Sequence, residues 1–166
     1  MILAPRVRKL ALTAHVVASV GWLGAVAAFV ALAVVGLTSQ DDQTVRGAYL
    51  VMDEAAWLVL VPLALASLLT GLLQSFGSTW GLFRHYWVVF KLVINVLATA
   101  VLLLYMETFR SMAAVAADPR ADLSAVRNVS PLLHGAVALL LLLVATTLAV
   151  YKPRGVTPYG RRKLVP

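Results

Sequence analysis

The sequence predicts an all-α protein, a four-helix transmembrane bundle with both termini cytoplasmic. Three observations predict it. The chain is 61% apolar with a mean hydropathy of +0.90, well above the roughly 45–50% apolar content of soluble domains. Four long apolar segments follow one another, and each can cross a ~30 Å hydrocarbon core at ~1.5 Å rise per residue. The basic residues are distributed unevenly between the two sides that four spans define.

The first span covers residues 9–37. From Leu10 to Leu37 it contains no charged residue. The Met1–Lys9 stretch has the charge of a signal-peptide n-region. The apolar run behind it is far longer than a signal h-region, and no small-residue cleavage site closes it, so it reads as a retained span. The polar loop Thr38–Arg46 ends it. The second span is 48–75, with Pro62 inside it, and the loop Phe76–Arg84 carries Gly77 and Gly81. The third span is 85–109. A polar third loop follows, into which Ala113–Ala117 can extend the helix. The fourth span is 131–151, opening on Pro131, where a helix tolerates proline. A basic tail, 152–166, holds three prolines and five basic residues and reads as extended. No repeat or second domain is visible, so 1–166 is one membrane domain. Barrel strands are excluded by the length and continuity of the segments.

Ten basic residues, Arg84, Lys91 and Lys152 among them, fall on the side of the two termini, and four fall on the other side. The positive-inside rule then makes the termini cytoplasmic, in a bacterial inner (plasma) membrane. All seven acids fall on the outer side. The net charge of +7 is explained by this topology, and no groove-reading motif supports nucleic-acid binding. The absence of cysteine excludes disulfides, thiolate metal sites and cysteine nucleophiles. Hydrolase and phosphate-loop patterns are also missing.

Polar residues at membrane depth mark the candidate site. His15, Ser19, Trp22 and Val26 follow helical spacing. So do Ser67, Thr70, Gly71 and Gln74, and Lys91, Asn95 and Thr99. Three helices thus present polar stripes in the same half of the bundle. Lys91 could instead snorkel to the surface, and hydroxyl stripes could serve helix packing alone. A neutral imidazole inside a bundle can ligate haem iron. Arg6, Arg8, Lys9, Arg84 and Lys91 are the cations available for haem propionates, and Gly21, Gly24 and Gly71 could open a slot. His85 or Lys91 is the candidate second ligand, although His85 also fits an interfacial aromatic belt with Tyr86 and Trp87. His134 lies roughly 15–20 Å further along the bundle axis and cannot share an iron with His15. With Met52, Asp53, Glu54, Tyr105, Met106 and Glu107 it is an alternative outer metal site or proton relay.

The motif skeleton resembles small four-helix membrane proteins of the HemJ (protoporphyrinogen oxidase) type and the related copper-resistance D membrane domain. The residues are His15 with Trp22-Leu23-Gly24-Ala25, Pro62 with Thr70-Gly71, Trp87 with Lys91-Leu92, Arg127-Asn128 with Pro131, and Tyr151-Lys152-Pro153. The strings Ser19–Gly24 and Trp80–Trp87 look closer still to a group of small bacterial membrane proteins without an assigned role. The resemblance implies haem b, with His15 as ligand and Lys91 in the functional site. Tyr105 stands where that family tends to have a late histidine, and Asn128-Val129-Ser130-Pro131 lacks its glutamate. Those departures bear on oxidase activity more than on fold. The leading expectation is electron transfer or a tetrapyrrole- or quinone-linked redox role. The alternatives are a copper, divalent-metal or proton transport component, and a cofactor-free subunit packing against a partner. The expected partners are the lipid bilayer, a quinone or redox protein, and a second copy in a homodimer.

Overall fold

The computed structural model describes residues 4–78 and 80–164. Met1–Leu3, Thr79, Val165 and Pro166, parts of the expected N-terminal stretch, second loop and tail, lie outside the described residues. Helix α1 is Pro5–Thr38, with Pro5 at its first position, where the missing N–H would have no partner anyway. The second span is one rod made of α2 (Asp42–Ala55), a π-helical turn (Ala56–Leu60) and α3 (Val61–Gly77). Helix α4 is Tyr86–Ala117, α5 is Ser130–Tyr151, and a short α6 is Pro158–Leu164. All four rods are long and apolar enough to cross a membrane. Among the described residues there is no strand, only an isolated antiparallel bridge between His85 and Val156.

Each rod packs against its neighbours in the chain, and α5 closes the ring against α1 and α4. Across one diagonal, α1 and α4 meet through an edge-on contact of Phe29 with Phe109, ring centroids 5.7 Å apart. The outward surface is apolar: Leu104 is 79% exposed and Leu58 72%. Leaving a leucine in water forfeits roughly 1.5–3 kcal/mol, so such a surface is suited to lipid. This is a multi-pass membrane protein.

The two ends of the bundle differ. Arg6, Arg8, Lys9 and Lys152 mark a basic end; Asp41, Asp42, Asp118 and Asp122 mark an acidic end. The close-packed core lies toward the acidic end, where Val26, Phe29, Tyr49, Met52, Met106, Phe109 and Val126 are buried together. Tyr49 donates to the Val126 carbonyl at 2.6 Å. A Cβ at Gly36 would stand 2.9 Å from the Tyr49 ring. Because that ring is held at its hydroxyl, it cannot retreat, and overpacking of this kind costs about 1–3 kcal/mol. Gly36→Val is therefore expected to lower the thermal midpoint of the detergent-solubilised protein, while Gly47→Val, with open space around it, should leave the packing undisturbed.

Several boundaries differ from the sequence expectation. The first loop shrinks to Ser39–Asp41, because Asp41 caps α2 by accepting from the Gln43 and Thr44 N–H groups. The Thr44 hydroxyl, then its N–H, holds the Asp41 carboxyl below its ordinary pKa. This cap is therefore present above the carboxylate range and lost as pH falls through the lowered value. Helix α4 runs on to Ala117 because Arg46 caps it. The Arg46 guanidinium donates to the carbonyls of Val115, Ala116, Asp118, Pro119 and Ala121, which a helix end otherwise leaves unpaired. Arg127 ties the same end by donating to the Ser39 carbonyl and pairing with Asp42 at 3.1 Å.

The tail is not extended. Lys152 ends α5 in the left-handed region at φ 44°, and the chain turns back along the second loop. Thr157 N–H donates to the Arg84 carbonyl at 2.9 Å, and its hydroxyl donates to the Phe83 carbonyl at 2.5 Å. Gly160 N–H donates to the Thr157 hydroxyl, so Thr157 caps α6 with Pro158 at the first position.

Candidate functional site

At the basic end the core gives way to a cleft of about 620 Å³ between α1, α3, α4 and α5, largely apolar in lining and edged by the polar stripes. The π turn helps to shape it. Pro62 has no N–H, and its ring crowds the carbonyl four residues back. The turn absorbs this with a Val61 N–H bond to the Ala56 carbonyl. One extra residue in a turn rotates the following helix face by about 100°. Ser67, Thr70, Gly71 and Gln74 then face α1 and α4.

His15 is fixed on this face. Its ring lies against Gly71, where a Cβ would stand 3.0 Å from Cε1. Its Nδ1 is 3.1 Å from the Thr70 hydroxyl. That hydroxyl has one proton, and it lies 2.5 Å from the Ala66 carbonyl, to which it donates. The network therefore assigns the proton of the His15–Thr70 bond to Nδ1, and in the neutral ring Nε2 keeps its lone pair. No side-chain hydrogen bond from a described residue reaches Nε2, and the ring also meets the Ser67 backbone carbonyl. His15 lines the cleft.

The neighbouring stripes join as expected from their spacing. Asn95 Nδ2 donates to the Lys91 carbonyl at 2.9 Å, leaving Asn95 Oδ1 to accept from Ser67 at 3.4 Å. The Ser67 proton being used there, Ser19 donates to Ser67 at 2.9 Å. One chain of hydroxyls and amide thus links α1, α3 and α4. Lys91 lies half-buried with Nζ 5.8 Å from the Trp87 ring centre and makes no ion pair among the described residues. Arg8 and Lys152 also line the cleft, so among the described residues three cations border it and no acid does. Trp22, buried at 2% exposure, lines both this cleft and a second, apolar cavity of about 390 Å³ toward the acidic end. It is the partition between them.

The remaining candidates stand elsewhere. His85 caps α4 without a side-chain cap bond. Its Nδ1 donates to the Trp80 carbonyl at 2.9 Å and its ring meets Trp80 edge-on. Neither His85 nor Arg84 is among the residues lining the cleft. Arg84 lies over Gly81, whose φ of 64° lets the loop turn there. His134 sits at the mouth of the apolar cavity. Its Nδ1 donates back to the Ser130 carbonyl at 2.9 Å, and its ring lies 4.4 Å from that of Tyr105. Of the methionines expected beside it, Met52 lines the same cavity, and both Met52 and Met106 are core residues. Among the described residues no three of His, Asp or Glu come together to hold a metal ion.

Lys152, read from the sequence as part of the tail, and Trp87, read as a belt residue or as a motif partner of Lys91, are cleft residues. The signal for Trp87 was its position four residues before Lys91, on the same helix face. Compared with protein-family models, curated proteins and solved structures, the chain matches none.

Proposed function

We propose that the protein binds haem b in the cleft at its basic end, where His15 Nε2 would hold the iron, and that it serves electron transfer in a bacterial inner membrane. Quinone or another redox protein is the proposed exchange partner. The observation that carries this reading is the state of His15. Its Nδ1 proton is held by Thr70, its ring is seated on Gly71, and its Nε2 makes no side-chain hydrogen bond beside a cleft whose charged lining residues, among the described residues, are all cations.

The donor set suits the group. A ligating imidazole works best when its other nitrogen donates to a fixed acceptor, and the Thr70 hydroxyl is one. The cleft volume falls within the ~300–1,000 Å³ range of cofactor pockets. Leu23, Leu142, Ala145 and Val150 supply apolar walls, and Arg8, Lys91 and Lys152 are placed to offset two carboxylates. Bound haem would supply one-electron chemistry whose potential is set by ligation and burial. Lys91, with no acid beside it, favours anionic ligands and disfavours cations entering the cleft. His85 lies outside the cleft and is not placed to be a second ligand, and Lys91, as the ammonium that meets a carboxylate, is not one either.

The test is a haem titration of the detergent-purified protein, followed by the Soret band. One haem per chain is expected, and His134→Ala should leave the affinity within about twofold because that ring lies outside the cleft. No Soret shift at any haem concentration would refute the reading, and so would a titration abolished by His134→Ala but not by His15→Ala.

A further inference from the structure

Opening off the cleft is a side chamber of about 130 Å³ between α3 and α4, lined by His15, Gln74, Trp87, Lys91 and Asn95. Two of these side chains hold buried N–H groups with no acceptor: Gln74 Nε2 and Trp87 Nε1. Trp87 is 8% exposed. Buried donors without acceptors are uncommon, and each costs about 1–3 kcal/mol unless something fills the role. The oxygens nearby each already take one proton, and none of them is a partner of these two N–H groups. Asn95 Oδ1 takes the Ser67 proton, the Lys91 carbonyl takes Asn95, and the Gly71 carbonyl takes Ser75. Lys91 also lines the chamber, with Nζ 5.8 Å from the Trp87 ring centre and no carboxylate within ion-pair distance among the described residues. Water could satisfy the two neutral donors, but it would leave the positive charge uncompensated.

We propose that Gln74, Trp87 and Lys91 form a clamp for one carboxylate arm of an amphiphilic ligand. The chamber, at about 130 Å³, is large enough for a carboxylate with its short alkyl stem. A carboxylate accepts several hydrogen bonds at once and carries the compensating charge. The indole N–H and the amide supply direction, and the ammonium supplies charge. This deepens the haem reading, because it assigns one propionate to the chamber, yet the clamp does not need iron and can be tested without it.

The probes are metal-free protoporphyrin IX and its dimethyl ester, titrated in neutral detergent and followed by porphyrin fluorescence. The diacid should bind at least about tenfold more tightly than the diester, the scale of a charge-assisted hydrogen bond. Gln74→Leu and Trp87→Phe should each reduce that ratio by roughly 3–10-fold, and Lys91→Met by more. Circular dichroism and gel filtration confirm that each variant is folded. Equal binding of diacid and diester would overturn the clamp. So would a ratio unchanged in folded Gln74→Leu and Trp87→Phe, or no binding of either probe. Phosphatidylglycerol that displaces the diacid, and whose own binding falls in Gln74→Leu, would assign the chamber to a lipid phosphate and overturn the carboxylate. Retained discrimination with no Soret shift on adding haem would uphold the clamp while refuting iron ligation by His15.

Discussion

Replacing His15 with alanine is expected to remove the Soret signature of added haem and to weaken haem binding by more than about 100-fold. Partners outside the coordination sphere alone are commonly worth ~10–100-fold, and the ligand itself should exceed them. Thr70→Val probes such a partner. It removes the acceptor that holds Nδ1–H and should cost about 10–100-fold with the fold intact. Gly71→Val should act like His15→Ala by another route, since a Cβ there stands 3.0 Å from the imidazole and the ring must leave its seat. Free imidazole added to His15→Ala should restore part of the Soret band, because the vacated space lies beside the cleft. Rescue of His15→Ala but not of Gly71→Val would separate loss of the ligand from loss of its space. If all three variants bind haem as the wild type does, the ligand is not His15.

The largest expected effect on stability is at the opposite end of the bundle. Arg46→Met is expected to lower stability by about 2–3 kcal/mol, read as an earlier transition in thermal or SDS denaturation. Its guanidinium donates to five carbonyls at the end of α4 and in the turn beyond. Hydrogen bonds to charged groups are worth roughly 1.5–3 kcal/mol each, but neighbouring bonds to one group do not add, and part of this site is exposed. A cation at a helix C-terminus also complements its dipole. Arg46→Lys should recover only part of the loss, because an ammonium cannot spread over five acceptors as a planar fork does. Haem affinity should change little in either variant, since the site is at the other end. An Arg46→Met protein as stable as the wild type would show that these carbonyls are as well served by water.

The periodic part of this molecule was legible from the sequence. The spacing of His15, Ser19 and Trp22 put them on one face, and that face turns inward, with Trp22 buried and His15 and Ser19 half-buried. The stripes Ser67–Gln74 and Lys91–Asn95 met it as helical geometry requires. Residues acting across long separations were not legible. Arg46 reaches carbonyls about 70 positions away, and no local pattern announces it. Lys152 enters the cleft only because α5 packs beside α1. The folded tail did have a signal, Thr157 followed by Pro158, which is a helix cap and first-position proline. It was obscured by the density of prolines and charges around it. The orphan donors of Gln74 and Trp87 follow from what their neighbours already bond, which becomes visible only when the partners are in place.

The most direct test is the absorption spectrum of the purified protein supplied with haem, oxidised and then dithionite-reduced, with His15→Ala measured alongside. The account predicts a Soret band that shifts on reduction, sharpened visible bands in the reduced state, and loss of all three in the variant. A wild-type spectrum indistinguishable from haem in empty detergent micelles, or one identical in His15→Ala, would contradict it.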